Sequence, residues 1–411
     1  MRGKNLQSEK LFYRDAYLRT FEAQVVARQR MASNQPAVAL DRTGFYPTGG
    51  GQPNDMGRLV ASGDVAVQVT DVVADDGVIW HVLDRELDAP RVTGELDWRR
   101  RFDHMQQHTG QHVLSQAFVV NCDAETVAFH LGERVCTIDL DRVNLDAAAL
   151  ARVEAAANAV IDAALPVSAS FVTPEELAQL PLRRPPKVSD DVRIVQVEGF
   201  DWSPCGGTHV ANTSQIGLIK VTGAERRGSE LRITFLCGQR ARADYARLKT
   251  LAQGLVARYM TAEDDVLDLL DRRAAEADQM RKELADLERQ WAETTAAALW
   301  AEAPQRGSLR VVTAALDGSI DRVKKVAQAL RARPGVVVCL GARGERPQLV
   351  VTRSDDVVAD AGALLRVAAA AGGGRGGGRP DWAQGGVPSD EALGAAFDAL
   401  LHALHTTREE T

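Results

Sequence analysis

Histidine, cysteine and long apolar runs are scarce in this chain of 411 residues. No run approaches the roughly 18 apolar residues of a membrane span, and the opening stretch MRGKNLQSEKLFYRD has no apolar segment after its positive charges. We therefore expect a cytoplasmic protein with no secretory signal and no membrane contact. The five cysteines are odd in number and form no C-x-x-C pair, which argues against a disulfide framework.

Charge excludes one further class of protein. The net charge of -7 argues against a general coat for nucleic acid, although local basic patches could still bind RNA. Three consecutive arginines, Arg99 to Arg101, form one such patch. A solvated surface explains these arginines equally well.

Familiar phosphate-binding motifs are also missing around the glycine-rich stretch DRTGFYPTGGGQPNDMG, residues 41–57. No Gly-Lys-Ser/Thr follows the glycines, and no helix is expected after them, so the stretch is neither a Walker loop nor a Rossmann turn. Two interpretations stay open. The stretch is a hairpin loop, or it is a backbone that approaches a ligand closely, with Gln52 as the polar side chain that reaches the ligand.

Two short motifs hold most of the chemistry. In HMQQHTGQH, residues 104–112, Asp103 and Gln106 predict a helix N-terminus, and His108 and His112 then lie one turn apart on the same helix face. In CGGTH, Cys205 and His209 have the same spacing within a glycine-containing loop. Three imidazoles and one thiolate form a zinc-binding set, so we predict one Zn²⁺ per chain. Because no H-E-x-x-H is present, a zinc protease mechanism is disfavoured.

The order of apolar patterns predicts an α+β multidomain protein. Residues 1–95 carry short, partly alternating apolar runs separated by turn residues, which predicts a small β-barrel domain. Residues 96–240 predict an α+β domain that contains both halves of the metal site. Residues 241–302 are predicted to form one long, coiled-coil-like helix. Its heptad rows of apolar residues predict a packing seam within the chain or in a homodimer. Residues 303–411 alternate strands and helices, which is typical of an α/β domain.

A second glycine-rich stretch, GGGRGGGRPDWAQGG, lies inside this last domain. It could be a flexible linker. Its position between two amphipathic helices, with Arg375 and Arg379, equally favours a backbone and guanidinium cradle for phosphates. The predicted binding residues are Gly374, Arg375, Gly376, Gly377, Gly378 and Arg379.

Four stretches resemble motifs of the alanyl-tRNA editing proteins of the AlaX family: FYPTGGGQPNDMG, HTGQHVLSQAF, FHLGERVCTIDLD and CGGTHVANTSQIGLIKV. These proteins are free-standing relatives of the editing domain of alanyl-tRNA synthetase. The last hundred residues are similar to the domain that ends those synthetases and that follows the catalytic module of DHH-type phosphoesterases, so the chain looks like the long form of the family. No class II aminoacylation domain is recognised, and a synthetase is not expected.

The resemblance implies a zinc-dependent hydrolase that acts on tRNA(Ala) charged with serine or glycine. Carried over by position, the zinc ligands fall on His108, His112, Cys205 and His209, which would also form the catalytic centre. Gln111 and Thr126 fall near the aminoacyl pocket, and Arg232 falls on the strand position associated with the end of the tRNA. Ser214 and Gln215 stand where the family has glycine and an acidic residue, so a carboxylate role is in doubt there.

Two details are left open by the residues alone. Four protein ligands leave zinc no free position, so either the coordination sphere expands or one ligand, most plausibly Cys205, binds weakly. Discrimination of serine from alanine requires a hydrogen bond to the extra hydroxyl, for which Thr126 and Thr43 are the candidates.

Three other functions compete with this reading. An editing esterase for another tRNA, such as Ser-tRNA(Thr), would use the same kind of site. A DHH-type nuclease is excluded by the lack of an Asp-His-His cluster. A non-catalytic, zinc-stabilised tRNA-binding protein would bind tRNA without removing the amino acid.

Overall fold

The computed structural model describes residues 7–63, 65–185 and 191–406. The chain divides into two compact units, Met1–Leu255 and Val256–Thr411. The finer boundaries expected at residues 95, 240 and 302 stay predictions. Among the described residues, the helices are either too short or too polar to cross a bilayer.

The predicted N-terminal barrel is confirmed. Six antiparallel strands close on themselves, and their order around the barrel is Thr20–Arg30, Pro36–Leu40, Val78–Leu83, Val65–Asp75, Gly57–Ala61 and Arg91–Leu96. Alternation along the strands directs apolar side chains inward, where Leu40, Leu59 and Leu83 are fully buried. Beside the barrel, Glu9–Lys10 pairs in parallel with Arg42–Thr43, and a short helix covers Leu11–Arg14.

The rest of the first unit is built around one helix, Trp98–Cys122, which we call the central helix. It packs with a four-stranded antiparallel sheet in the order Ile219–Arg227, Glu230–Cys237, Cys136–Leu140 and Thr126–Leu131. A second, three-stranded antiparallel sheet consists of Val167–Val172, Val192–Val197 and Asp201–Pro204. Shorter elements complete this part: the helices Ala147–Asp162 and Pro174–Leu177, and a 3₁₀ turn at Thr213–Ile216.

The central helix begins earlier than predicted. Asp97, not Asp103, is the N-cap, and its side chain accepts a hydrogen bond from Arg100 N. Asp103 lies inside the helix and pairs with Arg240. Both histidines of the predicted pair are still on the helix, so the expectation that they share one face is unaffected.

Gly110, between the two histidines, is required by the close packing of the central helix against a strand. An ideal Cβ at this position would lie 2.2 Å from Cys237 Sγ, which belongs to the strand Glu230–Cys237. The glycine therefore allows the sheet to approach the helix.

The single long helix predicted for residues 241–302 is wrong. Two helices occur, Gly238–Tyr259 and Val266–Glu302, because Met260 adopts a left-handed backbone conformation with a φ of 52°. The second helix is not simply a linker, since Ala292 and Ala296 are buried in the core of the second unit. Earlier in the same helix, Met280, Leu284 and Leu287 of the predicted heptad rows are exposed. Coiled-coil pairing through these rows stays a prediction.

The second unit contains a mixed sheet with helices. Its strand order is Gln305–Arg306, Leu309–Leu316, Val336–Ala342, Gln348–Arg353, Trp382–Gly386 and Arg375–Gly378, and its helices are Ile320–Arg331, Ala361–Ala371 and Asp390–Thr406. Within the described part of this sheet, only the pair Leu309–Leu316 and Val336–Ala342 is parallel. The α/β expectation is therefore only partly correct, because Gln348–Arg353 returns directly as a hairpin.

Candidate metal centre

Four side chains from two distant parts of the chain meet at one point. His108 and His112 project from the central helix, and Cys205 and His209 come from the loop after strand Asp201–Pro204. One ligand atom from each residue lies within 4.8 Å of those of the other three. Cys205 Sγ is 3.3 Å from both His108 Nε2 and His209 Nε2.

These distances fit a metal ion. In a tetrahedral zinc site, bond lengths of about 2.3 Å to sulfur and about 2.0 Å to nitrogen separate the two ligand atoms by roughly 3.5 Å. Three imidazoles and one thiolate also form a donor set that zinc prefers. The four residues are therefore suited to hold one metal ion.

Each histidine of the cluster has a neighbour at its second ring nitrogen. His108 Nδ1 lies 2.8 Å from Gln52 Oε1, His209 Nδ1 lies 3.1 Å from Thr109 Oγ1, and His112 Nδ1 lies 3.3 Å from Asp201 Oδ2. The hydrogen bonds at His108 and His209 fix the orientation of those rings and direct the other nitrogen toward a metal, while the Asp201 carboxylate lies beside the His112 ring. Thr109 and Asp201 were not predicted from the sequence, because neither carries a signal apart from its closeness to a metal-binding residue along the chain.

Gln52 is deeply built into this arrangement. Its side chain is 1% exposed, its Oε1 accepts a hydrogen bond from Thr208 N, and its Nε2 donates one to Thr208 Oγ1. Gln52 lies in the loop between strands Arg42–Thr43 and Gly57–Ala61, which we call the barrel loop. Its side chain thus joins the barrel loop to His108 and to the CGGTH loop. Its predicted contact with the aminoacyl group stays a prediction, but the amide already serves these three partners.

Two glycines permit the close packing of these loops. An ideal Cβ at Gly207 would lie 2.2 Å from the ring of His108, and one at Gly51 would lie 2.3 Å from the ring of Phe129. Gly51 also has a φ of 77°, which favours glycine. Arg193 holds the CGGTH loop from the other side by donating hydrogen bonds to the carbonyl oxygens of Cys205 and Gly207.

Electrostatic interactions favour the ionised thiol. Burial opposes ionisation of Cys205, but its interactions with His108 and His209 outweigh burial and hold the pKa of the thiol well below its usual range. The thiolate is the form that binds metal. Burial would lower the pKa of His112, yet the adjacent Asp201 raises it to about 9, while burial lowers the pKa of His209 to about 3.

A cavity of about 730 Å³ opens beside the cluster. His112 and Cys205 lie in its wall, together with Gln111 and Thr126, the two residues expected near the aminoacyl pocket. Thr126 Oγ1 and Gln111 Nε2 both donate hydrogen bonds to Ser115 Oγ. The structure therefore brings these predicted residues together with the metal cluster.

Three other residues singled out in the sequence lie elsewhere in the first unit. Thr43 is buried in the barrel, where its hydroxyl is 2.8 Å from His81 Nε2, so it does not line the cavity. Arg232 forms a two-bonded ion pair with Asp139 and is likewise absent from the cavity wall. Gln215, which stands where the family has an acidic residue, accepts hydrogen bonds from Tyr17 Oη and Ala211 N. These hydrogen bonds are within the protein and give the side chain a structural role.

The glycine-rich residues of the second unit form a strand where a loop was expected. Arg375–Gly378 pairs with Trp382–Gly386 at the edge of the mixed sheet. Glycine is needed at Gly376 and Gly378, because a Cβ there would meet the backbone of the paired strand at 2.6 Å and 2.4 Å. Arg379 follows the strand, and its Nε lies 3.3 Å from Asp381 Oδ1. Binding of tRNA by these residues stays a prediction.

Three family models match the chain. The threonyl and alanyl tRNA synthetase second additional domain matches residues 192–233, which include the CGGTH loop, and the DHHA1 domain matches residues 308–406. The class II (A) tRNA synthetases match residues 4–100, which consist mainly of the barrel. This match was not predicted from the sequence. Half of the metal centre thus lies in a region that resembles an accessory domain of tRNA synthetases.

Individual relatives are more specific. The alanyl-tRNA editing protein AlaX-L of Pyrococcus horikoshii is 28% identical over 403 residues, which cover 95% of this chain and 98% of that protein. The alanine–tRNA ligase of Pyrobaculum neutrophilum is 31% identical over 413 residues, but the chain spans only 43% of its length. The resemblance predicted from the motifs is confirmed: the chain is similar along almost its whole length to an AlaX-L protein.

Solved structures also match the chain, and one of them is a domain of an alanyl-tRNA synthetase. The C-Ala domain of Aquifex aeolicus alanyl-tRNA synthetase has 24% sequence identity and covers 24% of this chain and 94% of that domain, with a TM-score of 0.23.

Proposed function

We propose that the chain is a trans-editing hydrolase that removes serine or glycine from mischarged tRNA(Ala). The observation that supports this most is the meeting of His108 and His112 with Cys205 and His209 at the wall of a cavity. It occurs in a chain similar over its whole length to a protein named for alanyl-tRNA editing.

The four cluster residues would hold one Zn²⁺. Such an ion supplies positive charge near an ester carbonyl, on whose oxygen negative charge develops during hydrolysis. Gln52 and Thr109 are hydrogen-bonded to the second ring nitrogens of His108 and His209, and Asp201 lies beside that of His112. With four protein ligands, either a fifth position becomes available or Cys205 binds only weakly while substrate is present.

Thr126 is the residue that we propose for recognition of serine. Because its hydroxyl hydrogen is donated to Ser115 Oγ, its oxygen is left as an acceptor at the cavity. A substrate serine could donate to this oxygen, whereas alanine could not, and a site that hydrogen-bonds a hydroxyl discriminates better than one that only accommodates it.

Deacylation assays test the proposal. Purified protein should release serine from Ser-tRNA(Ala) much faster than alanine from Ala-tRNA(Ala), and a chelator should abolish the release. His209→Ala should lose both metal and activity, whereas His130→Ala, at an exposed strand position outside the cluster, is the matched control. Stoichiometric metal together with stable Ser-tRNA(Ala) would refute the enzymatic proposal and favour a non-catalytic tRNA-binding protein.

A threonyl-type specificity is the second candidate, because the matching second additional domain is shared by threonyl and alanyl synthetases. The alanine-specific names of the full-length relatives favour tRNA(Ala). Parallel assays with Ser-tRNA(Thr) separate the two. Preferential hydrolysis of Ser-tRNA(Thr) would reassign the substrate.

We further propose that Arg375 and Arg379 in the second unit contact phosphates of the tRNA. Both arginines are exposed beside a strand of glycines, where a nucleic-acid backbone can approach closely. Replacing both by alanine should weaken tRNA binding and reduce the slope of log affinity against log salt by about 1.5. Arg366→Ala, at an exposed helix position of the same unit, is the control. Equal slopes for both variants would show that these arginines are not part of the binding surface.

Sedimentation of the free protein tests the homodimer that the heptad rows predict.

A further inference from the structure

The cavity beside the metal cluster is larger than a serine or glycine residue requires. Its volume of about 730 Å³ is in the range of pockets that enclose whole drug-sized ligands. An aminoacyl ester on tRNA is attached to the terminal ribose, so a nucleoside must come near any site that hydrolyses it. The part of the cavity wall that lies away from the metal cluster is therefore where contacts to this nucleoside are expected.

Exposed aromatic rings form part of that wall. Phe171 is 54% exposed on strand Val167–Val172, and Phe129 is 38% exposed on strand Thr126–Leu131. Both line the cavity with Tyr13. Exposed large apolar side chains that lie together at a cavity indicate a surface used for binding.

The place of Phe171 relative to the cluster suits a base attached to the reacting sugar. The ring of Tyr13 meets that of Phe171 edge to face, with centroids 5.6 Å apart. On its other side, Tyr13 Oη lies 3.4 Å from an ideal Cβ at Gly206, the residue next to Cys205. Phe171 is thus separated from the metal-binding loop by about one aromatic ring.

Positive charge accompanies the rings. Arg184 lines the same cavity, its side chain is 44% exposed, and its Nε lies 3.9 Å from Glu125 Oε2. Arg183 also lines the cavity but is bonded to Asp201 and Ser203. Asp191 contributes one negative charge to the rim. Aromatic rings with a cation beside them are the usual elements of sites for single-stranded nucleic acid.

We propose that Phe171 stacks against the terminal adenine of the tRNA and that Arg184 contacts the adjoining phosphate. The proposal rests on the proposed function and extends it, since it assigns a base-binding subsite separate from the metal centre. Phe171 would act in substrate binding and not in the chemical step. Stacking on one aromatic side chain accounts for about 5- to 150-fold in affinity.

The test compares uncharged tRNA ending in CCA with the same tRNA lacking the terminal adenosine. We expect the wild-type protein to bind the CCA form more tightly, Phe171→Ala to lose this preference, and Phe171→Trp to keep it. Tyr245→Ala is the matched control, because Tyr245 is also an exposed aromatic residue of the first unit and does not line the cavity. A preference that survives in Phe171→Ala, or that is lacking in the wild type, would overturn the proposal.

Deacylation of Ser-tRNA(Ala) distinguishes failure of this proposal from failure of the proposed function. Phe171→Ala should raise KM and leave kcat nearly unchanged. If the wild type deacylates and Phe171→Ala has an unchanged KM, the base subsite is wrong and the function stands. If the wild type does not deacylate while Phe171→Ala still loses the CCA preference, the subsite stands and the function is wrong.

Discussion

Arg101 provides the sharpest test of how the first unit is held together. It has no solvent-exposed surface, and its guanidinium bonds to both carboxylate oxygens of Asp55, which is also fully buried. It further donates hydrogen bonds to the carbonyl oxygens of Ala16 and Gly44. Asp55 lies three residues after Gln52, and Arg101 lies two helical turns before His108, so this ion pair fixes the barrel loop against the central helix.

Arg101→Met should be strongly destabilising. The substitution keeps an apolar stem of similar length but leaves the Asp55 carboxylate buried without its cation, and breaking a buried ion pair in this way costs about 3–5 kcal/mol. For a domain of this size, each kcal/mol lowers the midpoint of thermal unfolding by about 2–4 °C. We therefore expect the midpoint of the first unit to fall by roughly 6–20 °C.

The control is an adjacent arginine of the same run. Arg99 is exposed, and Arg99→Met should change the free energy of unfolding by no more than about 0.5 kcal/mol. Thermal and urea unfolding of both variants give the comparison, with metal content measured on the folded fraction. Equal stability of the two variants would refute the structural role of the buried pair and return all three arginines to the surface-patch interpretation.

Three further predictions concern the site and its supports. Gln52→Met removes the acceptor for His108 Nδ1 and should weaken metal binding about 10- to 100-fold in a chelator competition, whereas Gln68→Met, on an exposed barrel position, should not. Gly110→Ala should lower the free energy of unfolding by about 1–3 kcal/mol because of Cys237 Sγ, and the loss should shrink in a Cys237→Ala background; equal losses in both backgrounds would exclude this contact. Arg232 lowers the pKa of Asp139, so the pair stabilises the fold above the ordinary aspartate pKa of about 3.9 and loses this effect as the pH falls through the lowered value. Arg232→Met should therefore cost stability at pH 7 and progressively less as the pH falls below about 3.9, and a cost independent of pH would contradict this assignment.

The metal ligands could be predicted because each pair is local in sequence. A spacing of four residues on a helix places His108 beside His112 whatever the rest of the fold does. The residues behind the histidines could not be predicted in the same way. Asp201 meets His112 across 89 positions of sequence, and only the pairing of the strands determines that approach.

Glycine and arginine runs are ambiguous in the sequence for a related reason. In GGGRGGGR, glycine suggested a phosphate cradle, but the close backbone contacts of an edge strand require it equally. In Arg99 to Arg101, identical side chains point in different directions around a helix, so one is buried and one is exposed. Composition records the residue type, whereas burial depends on contacts made by distant segments.

The metal centre joins three segments that are otherwise separate: the barrel loop through Gln52, the central helix through His108, and the CGGTH loop through Thr208. Any ligand that binds only this folded arrangement stabilises it by mass action, and structural metal sites are commonly coupled to folding in this way. Removing the metal with a chelator should therefore lower the unfolding midpoint of the wild-type protein. His209→Ala, which lacks one ligand, should melt at the same temperature with and without chelator. A wild-type midpoint that does not respond to the chelator, in protein shown to have lost its metal, would mean that the three segments are held together by protein contacts alone.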